Sequence, residues 1–139
     1  MPRESIETLI EDFNSISLQD RLNLLLEFSE QLPELPSRYA DHPDLLERVE
    51  ECQSPIFLFV EVNSGVVNLF FSAPAEAPTT RGFAGILSAA MDGLSVEETL
   101  AFDDDFPSKI GLTEAVSPLR IRGMRGMLAR IKRQVREKQ

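Results

Sequence analysis

Apolar residues at helical spacing begin the chain. The spacing predicts a first helix over residues 5–15, with the Ser5 hydroxyl as its N-cap acceptor. A second helix is predicted from Ser17 to residue 32, where Pro33 and Pro36 prevent its continuation. The apolar faces of the two helices are formed by Ile6, Leu9, Ile10, Phe13, Leu18, Leu22, Leu25 and Leu26. The chain therefore begins with two amphipathic helices, each of which needs a core to cover its apolar face.

After a polar and irregular segment, the pattern changes to short apolar runs. Residues 56–62 and 66–72 are rich in β-branched and aromatic side chains, and an Asn-Ser-Gly turn sequence separates them. This pattern predicts a β-hairpin over about residues 56–72. Because both faces of these strands are apolar, we expect each face of the hairpin to be covered.

Helical spacing returns in the second half of the chain. It predicts a helix over residues 80–91, and the spacing of Ser95 and Glu98 predicts a capping box at the start of a short helix. A last helix is predicted to begin at Pro118, which fits the first turn of a helix. The core stripe of this last helix consists of Ile121, Met124, Leu128, Ile131 and Val135.

The order of these elements predicts the fold class. Two helices, a hairpin and further helices are typical of an α+β fold, in which a small antiparallel sheet is packed by N-terminal and C-terminal helices. We expect a single domain over residues 1–139. Gly82 and Gly85 lie within a predicted helix, where glycine is unfavourable, and they indicate that a neighbouring element packs closely there.

Length and composition fit one globular domain. The 139 residues suffice for one hydrophobic core, and 42% apolar with 27% charged residues is ordinary. No apolar stretch approaches the roughly 18 residues of a membrane span, and the first residues lack the apolar core of a secretory signal. We therefore expect a cytoplasmic protein with a reduced thiol and no membrane partner.

Charge is unevenly distributed along the chain. Residues 120–139 contain eight Lys or Arg and one Glu, a net +7, which leaves −16 on residues 1–119 within a total of −9. Because an acidic body repels phosphate groups at long range, we do not expect a nucleic-acid partner. We expect the basic C-terminal helix to pair in part with the acidic body, and the partner to be a protein.

The single cysteine, Cys52, is the leading candidate for chemistry. One thiol excludes a disulfide framework within the chain, and one Cys with one His cannot supply the roughly four ligands of an iron–sulfur cluster. A loop thiol next to a rigid hairpin is well placed as a nucleophile, whereas many lone cysteines are merely small buried hydrophobes. Glu50 and Glu51 raise the pKa of Cys52 if they lie close to it, and Arg120 is the candidate for compensating their charge.

Other arrangements of the polar residues remain open. His42 lies on the same irregular segment as Cys52, and contact between them would produce a Cys/His thiol enzyme or a redox sensor. Asp103, Asp104 and Asp105 offer oxygen ligands for a cation, although adjacent acids are more often solvated or paired with basic residues. If Cys52 is only packed, the protein is a non-catalytic interaction module.

Four short motifs follow one another along the chain. They are Leu32-Pro33-Glu34-Leu35, Glu51-Cys52-Gln53-Ser54, Arg81-Gly82-Phe83 and Ser117-Pro118-Leu119-Arg120, the last followed by Gly123-Met124. In these motifs and their order, the chain resembles the SufE family of cysteine-desulfuration proteins over about residues 5–135. The resemblance implies an α+β fold similar to that of iron–sulfur scaffold proteins. It also implies a sulfur acceptor that activates a SufS-type, pyridoxal-phosphate-dependent cysteine desulfurase in iron–sulfur cluster assembly.

The resemblance further implies roles for residues around the cysteine. Cys52 would take sulfane sulfur from the desulfurase persulfide, carry it as its own persulfide and pass it to an iron–sulfur scaffold. Gln53 and Ser54 would shape the loop, and Arg120 would border it and favour charge on sulfur. At rest the thiol would be shielded. The resemblance implies no metal or cofactor of this chain's own, since the pyridoxal phosphate belongs to the partner, and it leaves a homodimer open.

The chain departs from the family pattern at two places. Glu51 stands where the family usually has Gly before the cysteine. Ser72-Ala73-Pro74, with a longer loop, stands where the family sequence is usually closer to Ser-Asp-Ala. The first departure places a carboxylate directly beside the candidate nucleophile.

Overall fold

Helices from both ends of the chain surround a small antiparallel sheet in the computed structural model, which describes residues 6–139. The strands are β1 (Glu47–Arg48), β2 (Phe57–Asn63) and β3 (Val66–Ser72). The helices are α1 (Ile6–Asn14), α2 (Leu18–Gln31), α3 (Ser37–Ala40), α4 (Pro78–Met91), α5 (Val96–Ala101), α6 (Phe106–Lys109) and α7 (Pro118–Lys138). Single 3-10 turns lie at Pro43–Leu45 and Leu112–Glu114. The predicted α+β class is confirmed, and the predicted N-cap at Ser5 lies outside the described residues.

Local signals set the ends of several helices. The Ser17 hydroxyl accepts the backbone N–H of Asp20 at 3.1 Å at the start of α2. Ser95 and Glu98 form both hydrogen bonds of the predicted capping box at the start of α5. Helix α4 begins at Pro78 rather than at residue 80, because proline needs no intrahelical donor partner in the first turn.

The predicted hairpin is confirmed. Its two strands, β2 and β3, belong to a three-stranded sheet of order β1-β2-β3. Ser64 at φ +52° and Gly65 at φ +79° reverse the chain in the left-handed region, which suits a two-residue turn between twisted strands. The segment before the hairpin is less irregular than predicted, because it contains both α3 and β1. Elements of four and two residues are too short to show a period in the sequence.

One face of the sheet packs against the helices and forms the core. Alternate hairpin residues are buried on this face, namely Leu58, Val60, Val67, Leu69 and Phe71. Helix α4 packs on β3, and α7 packs on β2. The predicted core stripe of α7 is buried at all its positions, Ile121, Met124, Leu128, Ile131 and Val135.

The opposite face of the sheet has only a partial cover. The Tyr39 ring of α3 lies against Phe59 and Phe70, with ring centroids 4.6 and 4.9 Å apart. The Lys138 Nζ lies 3.6 Å from the centroid of Phe59, and the Arg38 guanidinium lies over Phe70. Within residues 6–139, the expectation that both faces are covered is therefore met in part, by one aromatic ring and several cationic side chains rather than by a second layer.

Side chains of α7 cover the edge of β2 that the short β1 leaves unpaired. The Gln134 Oε1 accepts the backbone N–H of Val60 at 2.9 Å. The Lys138 Nζ donates to the Val60 carbonyl oxygen at 2.6 Å. An uncovered strand edge is a template for pairing with another chain, and these two side chains block it. Helix α7 is thus fixed to the sheet by hydrogen bonds as well as by apolar contact.

Helices α2 and α4 approach each other closely at two glycines. A Cβ atom on Gly82 would lie 2.5 Å from the carbonyl oxygen of Leu25, and one on Gly85 would overlap the carbonyl oxygen of Phe28. The close packing predicted from the two glycines is confirmed. This contact places the first turn of α4 beside the site described below.

We expect Gly85→Ala to destabilise the protein, although helix propensity alone favours alanine by about 1 kcal/mol. The added methyl group must push α2 away from α4, and overpacking of this kind costs about 1–3 kcal/mol. Urea denaturation of both proteins measures the difference. The control is the pair Ser88→Ala and Ser88→Gly at a half-buried position of the same helix, whose difference measures the helix-propensity contribution. A Gly85→Ala protein more stable than the parent would contradict the close contact.

Candidate functional site

The loop between β1 and β2 holds Cys52 inside the protein. The Val49 N–H donates to the Ile56 carbonyl oxygen at 2.8 Å and closes the base of the loop. The Cys52 N–H donates to the Val49 carbonyl oxygen at 3.1 Å. Cys52 is 6% exposed, and its thiol is shielded in this state.

Two glycines of α7 make room for this loop. A Cβ atom on Gly123 would lie 2.7 Å from the Cys52 Sγ, and one on Gly126 would lie 2.6 Å from Oε1 of Glu51. A side chain at position 123 would displace the Cys52 sulfur, and one at position 126 would displace the Glu51 carboxylate. Because the two glycines are three residues apart, they lie on one face of the helix. The sulfur therefore rests against the backbone of α7.

A cleft of about 340 Å³ lies beside the thiol. Cys52, Gln53 and Ser54 line it from the loop, and Leu119 and Arg120 line it from the first turn of α7. The remaining wall comes from the segment between β3 and α4 and from the first turn of α4, with Glu76, Ala77, Pro78, Thr79 and Thr80. The structure thus brings Cys52, Gln53, Ser54 and Arg120 to one cleft.

Burial is the main influence on the thiol. Burial and, to a smaller extent, the neighbouring Glu51 carboxylate together raise the pKa of Cys52 to about 11. Arg130 and Arg48 oppose this effect. Among residues 6–139 these two are the cations that lower the pKa of Cys52, and Arg120 is not one of them. The expected effect of Glu51 is confirmed, and at neutral pH the sulfur is a thiol rather than a thiolate.

The chain is similar to known proteins over most of its length. A family model described as an Fe-S metabolism associated domain, SufE, matches residues 7–135. The chain belongs to the SufE family. A SufE-like protein of Mycobacterium tuberculosis is 52% identical over 130 residues, which cover 93% of this chain and 90% of the relative. A SufE-like protein of Rhizobium meliloti is 31% identical over 134 residues, 92% of each chain.

A solved structure supports the same fold. The solution structure of a hypothetical protein from Thermus thermophilus superposes with a TM-score of 0.83 and 37% sequence identity. The match covers 99% of this chain and 97% of that protein. The SufE family is associated with iron–sulfur metabolism, and that broad role applies to this chain.

Arg81 supports the cleft of this SufE-family chain from outside its lining, and sequence reasoning gave it no role beyond its place in a motif. Its Nε donates to the Ser29 carbonyl oxygen at 2.8 Å, and its Nη1 donates to the Ala73 carbonyl oxygen at 2.6 Å. Arg81 therefore ties the segment after β3, which lines the cleft, to the end of α2. A guanidinium is suited to this task because it donates in several directions from one rigid plane.

The basic helix pairs with the acidic body, as the charge distribution predicts. Lys132 pairs with Asp104 at 2.8 Å, and Arg125 pairs with Asp105 at 3.2 Å. Asp103 pairs with Lys109 at 2.5 Å. These ion pairs account for the run of three acids, and within residues 6–139 the structure contains no cluster of side chains suited to a metal ion.

His42 does not join Cys52 at the cleft. It is exposed, and it precedes the 3-10 turn at Pro43–Leu45. It is not among the residues that line the cleft, so this cleft offers no Cys–His pair.

In the described part of the chain, no helix is both long and apolar enough to cross a bilayer.

We expect Cys52 of the isolated protein to react slowly with iodoacetamide at about pH 7, because only the thiolate is alkylated. The rate should increase by about tenfold per pH unit toward the raised pKa of about 11. The measurement is the alkylation rate as a function of pH, and intact mass spectrometry records the extent of alkylation at each time point. In urea, where the protein is unfolded, the pKa of the same thiol should be about 8.5. A folded-state pKa well below that value would favour a thiol enzyme instead.

Proposed function

We propose that this protein accepts sulfur on Cys52 from the persulfide of a pyridoxal-phosphate-dependent cysteine desulfurase and passes it on for iron–sulfur cluster assembly. The observation that carries the proposal is the cleft in which the only cysteine of the chain meets Gln53, Ser54 and Arg120. The family match over residues 7–135 supports the same process. The protein turns over nothing by itself and instead stimulates its partner.

The chemistry needs one thiolate and no redox partner. The Cys52 proton passes to solvent, and the thiolate attacks the outer sulfur of the partner's Cys–S–SH group. The bond between the two partner sulfurs breaks, and the partner cysteine leaves as a thiolate. A persulfide now stands on Cys52, so one sulfane sulfur has moved with no net oxidation or reduction. With no second cysteine in the chain, nothing within it can resolve this persulfide into a disulfide.

Resting burial suits a carrier of this kind. A thiol with a raised pKa and 6% exposure resists oxidants and electrophiles in solution. The sulfur then becomes nucleophilic when a partner draws the loop outward and removes the burial that raises the pKa. Leu119 is 48% exposed beside Arg120, and this pair of residues offers an apolar and a cationic contact at the mouth of the cleft.

We expect incubation with a cysteine desulfurase and cysteine to add about 32 Da, one sulfur atom, to the chain. The same incubation should raise sulfide release by the desulfurase. Intact mass spectrometry without reductant measures the adduct, and Cys52→Ser should show neither the added mass nor the stimulation. Full stimulation by Cys52→Ser would contradict the sulfur-acceptor role and would favour a non-catalytic interaction module.

We expect Arg120→Ala to lower the stimulation of the desulfurase by about fivefold or more, because a charge at an interface rim governs encounter and orientation. The free energy of unfolding should stay within about 0.5 kcal/mol of the parent, since Arg120 is exposed. Arg122→Ala is the matched control, an exposed arginine two residues away that does not line the cleft. Equal losses in both variants would indicate a general charge effect rather than a contact at the cleft.

A further inference from the structure

A chain of ion pairs lies behind the Cys52 loop. The Arg130 Nη1 of α7 donates to the Glu51 Oε1, and the Arg130 Nε lies 3.1 Å from Oε2 of Glu47 in β1. Arg133, one turn later in α7, also pairs with Glu47. The Arg130 side chain is only 17% exposed, and those of Glu47 and Glu51 are 32% exposed. One helix thus holds both β1 and the cysteine loop by charge.

The position of Glu51 is coupled to that of the thiol. Glu51 and Cys52 are adjacent in the chain, and their side chains rest on the neighbouring glycines Gly126 and Gly123 of α7. Because the two residues are adjacent, we expect an outward movement of the loop that brings the sulfur away from Gly123 to carry the Glu51 carboxylate away from Gly126 as well. Such a movement separates Glu51 from Arg130.

We propose that Glu51 and Arg130 are positioning residues that form an electrostatic latch, which keeps Cys52 buried against α7 and which must open before the thiol can reach an electrophile. The biological use of the latch rests on the proposed function, in which Cys52 leaves its buried position to meet a partner's persulfide. The mechanical claim concerns the isolated protein and is tested without a desulfurase.

Removal of the Arg130 cation distinguishes a latch from a simple charge effect, because the two predict opposite changes in the alkylation rate of Cys52. If the loop stayed closed, removal of the Arg130 cation would raise the pKa of Cys52 further and slow its alkylation. If the pair is a latch, the half-buried Glu51 carboxylate loses its partner and moves to water, because an unpaired charge is costly in a partly buried place. The loop then opens, burial no longer suppresses the thiolate, and alkylation becomes faster.

The decisive experiment is the alkylation rate of Arg130→Gln with iodoacetamide at about pH 7. We expect a rate at least about fivefold above the parent, since each unit by which the pKa falls gives about tenfold more thiolate. Arg136→Gln is the matched control, because it removes the same charge from an exposed position of α7 that does not line the Cys52 cleft, and it should leave the rate unchanged. A slower or unchanged rate for Arg130→Gln overturns the latch.

Two further measurements guard against a trivial outcome. A rate that rises with low concentrations of urea reports global unfolding, whereas a rate insensitive to urea reports local opening, and only the second agrees with the latch. Arg130→Lys keeps the charge and should fall between the parent and Arg130→Gln, which keeps the test available if glutamine at position 130 prevents folding.

A double variant tests whether the two residues act as one unit. Glu51→Gln should also accelerate alkylation, in part because it removes the carboxylate that raises the pKa of Cys52. The double variant Glu51→Gln with Arg130→Gln therefore decides: if the two residues hold the loop as one pair, its acceleration should be smaller than the product of the two single effects. If the accelerations of the two single variants simply multiplied in the double variant, the two residues would act separately, and the latch would be overturned. Because no desulfurase is present, a failed latch leaves sulfur transfer untouched, and a failed persulfide assay leaves the latch untouched.

Discussion

The contact between α7 and the loop that carries Cys52 is the constraint on which the rest of the site depends. The sulfur lies against a helix backbone that two glycines leave bare, so the depth of the thiol is set by the position of α7. That position is set in turn by the apolar stripe of the helix and by the hydrogen bonds of Gln134 and Lys138 to β2. The site is therefore supported by the core and the sheet, not by the loop alone.

The burial that protects the Cys52 thiol also makes it less reactive. Every atom that covers the Cys52 sulfur removes water from around the thiolate, and so burial suppresses the nucleophile that the chemistry needs. The conflict disappears if the buried and reactive states are different conformations of the same loop. The interactions that hold the buried state, backbone hydrogen bonds and ion pairs at the base of the loop, are individually weak enough for a docking partner to exchange.

The sequence was sufficient for the elements with a sustained pattern. The stripe of α7 repeats over several turns, and its period identifies both the helix and its buried face. The hairpin was recognisable from its β-branched and aromatic runs around a turn, but because both of its faces are apolar, the sequence did not show which face is buried. Short elements such as β1 and α3, of two and four residues, have no period, and the sequence pattern alone could not show them. The motifs around Cys52 and Arg120 likewise predicted which residues meet at the cleft, because family motifs record proximity that local patterns cannot.

The electrostatics of the site were less accessible to sequence reasoning. Arg120 was the natural candidate for a cation near sulfur, whereas Arg130 and Arg48 act on the thiol in the structure. The pair of Glu51 and Arg130 joins residues separated by 79 positions, and no local pattern links them. The only sequence signal is the spacing of Gly123, Gly126 and Arg130, which share one face of α7 and together form a groove with a cation at its end.

The small space between Gly126 and Glu51 has a consequence for how such proteins can diverge. A Cβ atom at position 126 would lie 2.6 Å from the present place of the Glu51 Oε1, so a side chain there must displace the carboxylate. Substitutions at these two positions are therefore not independent. Glutamate at position 51 and a side chain at position 126 are compatible only when the glutamate takes another rotamer, in which its carboxylate leaves this place beside Arg130.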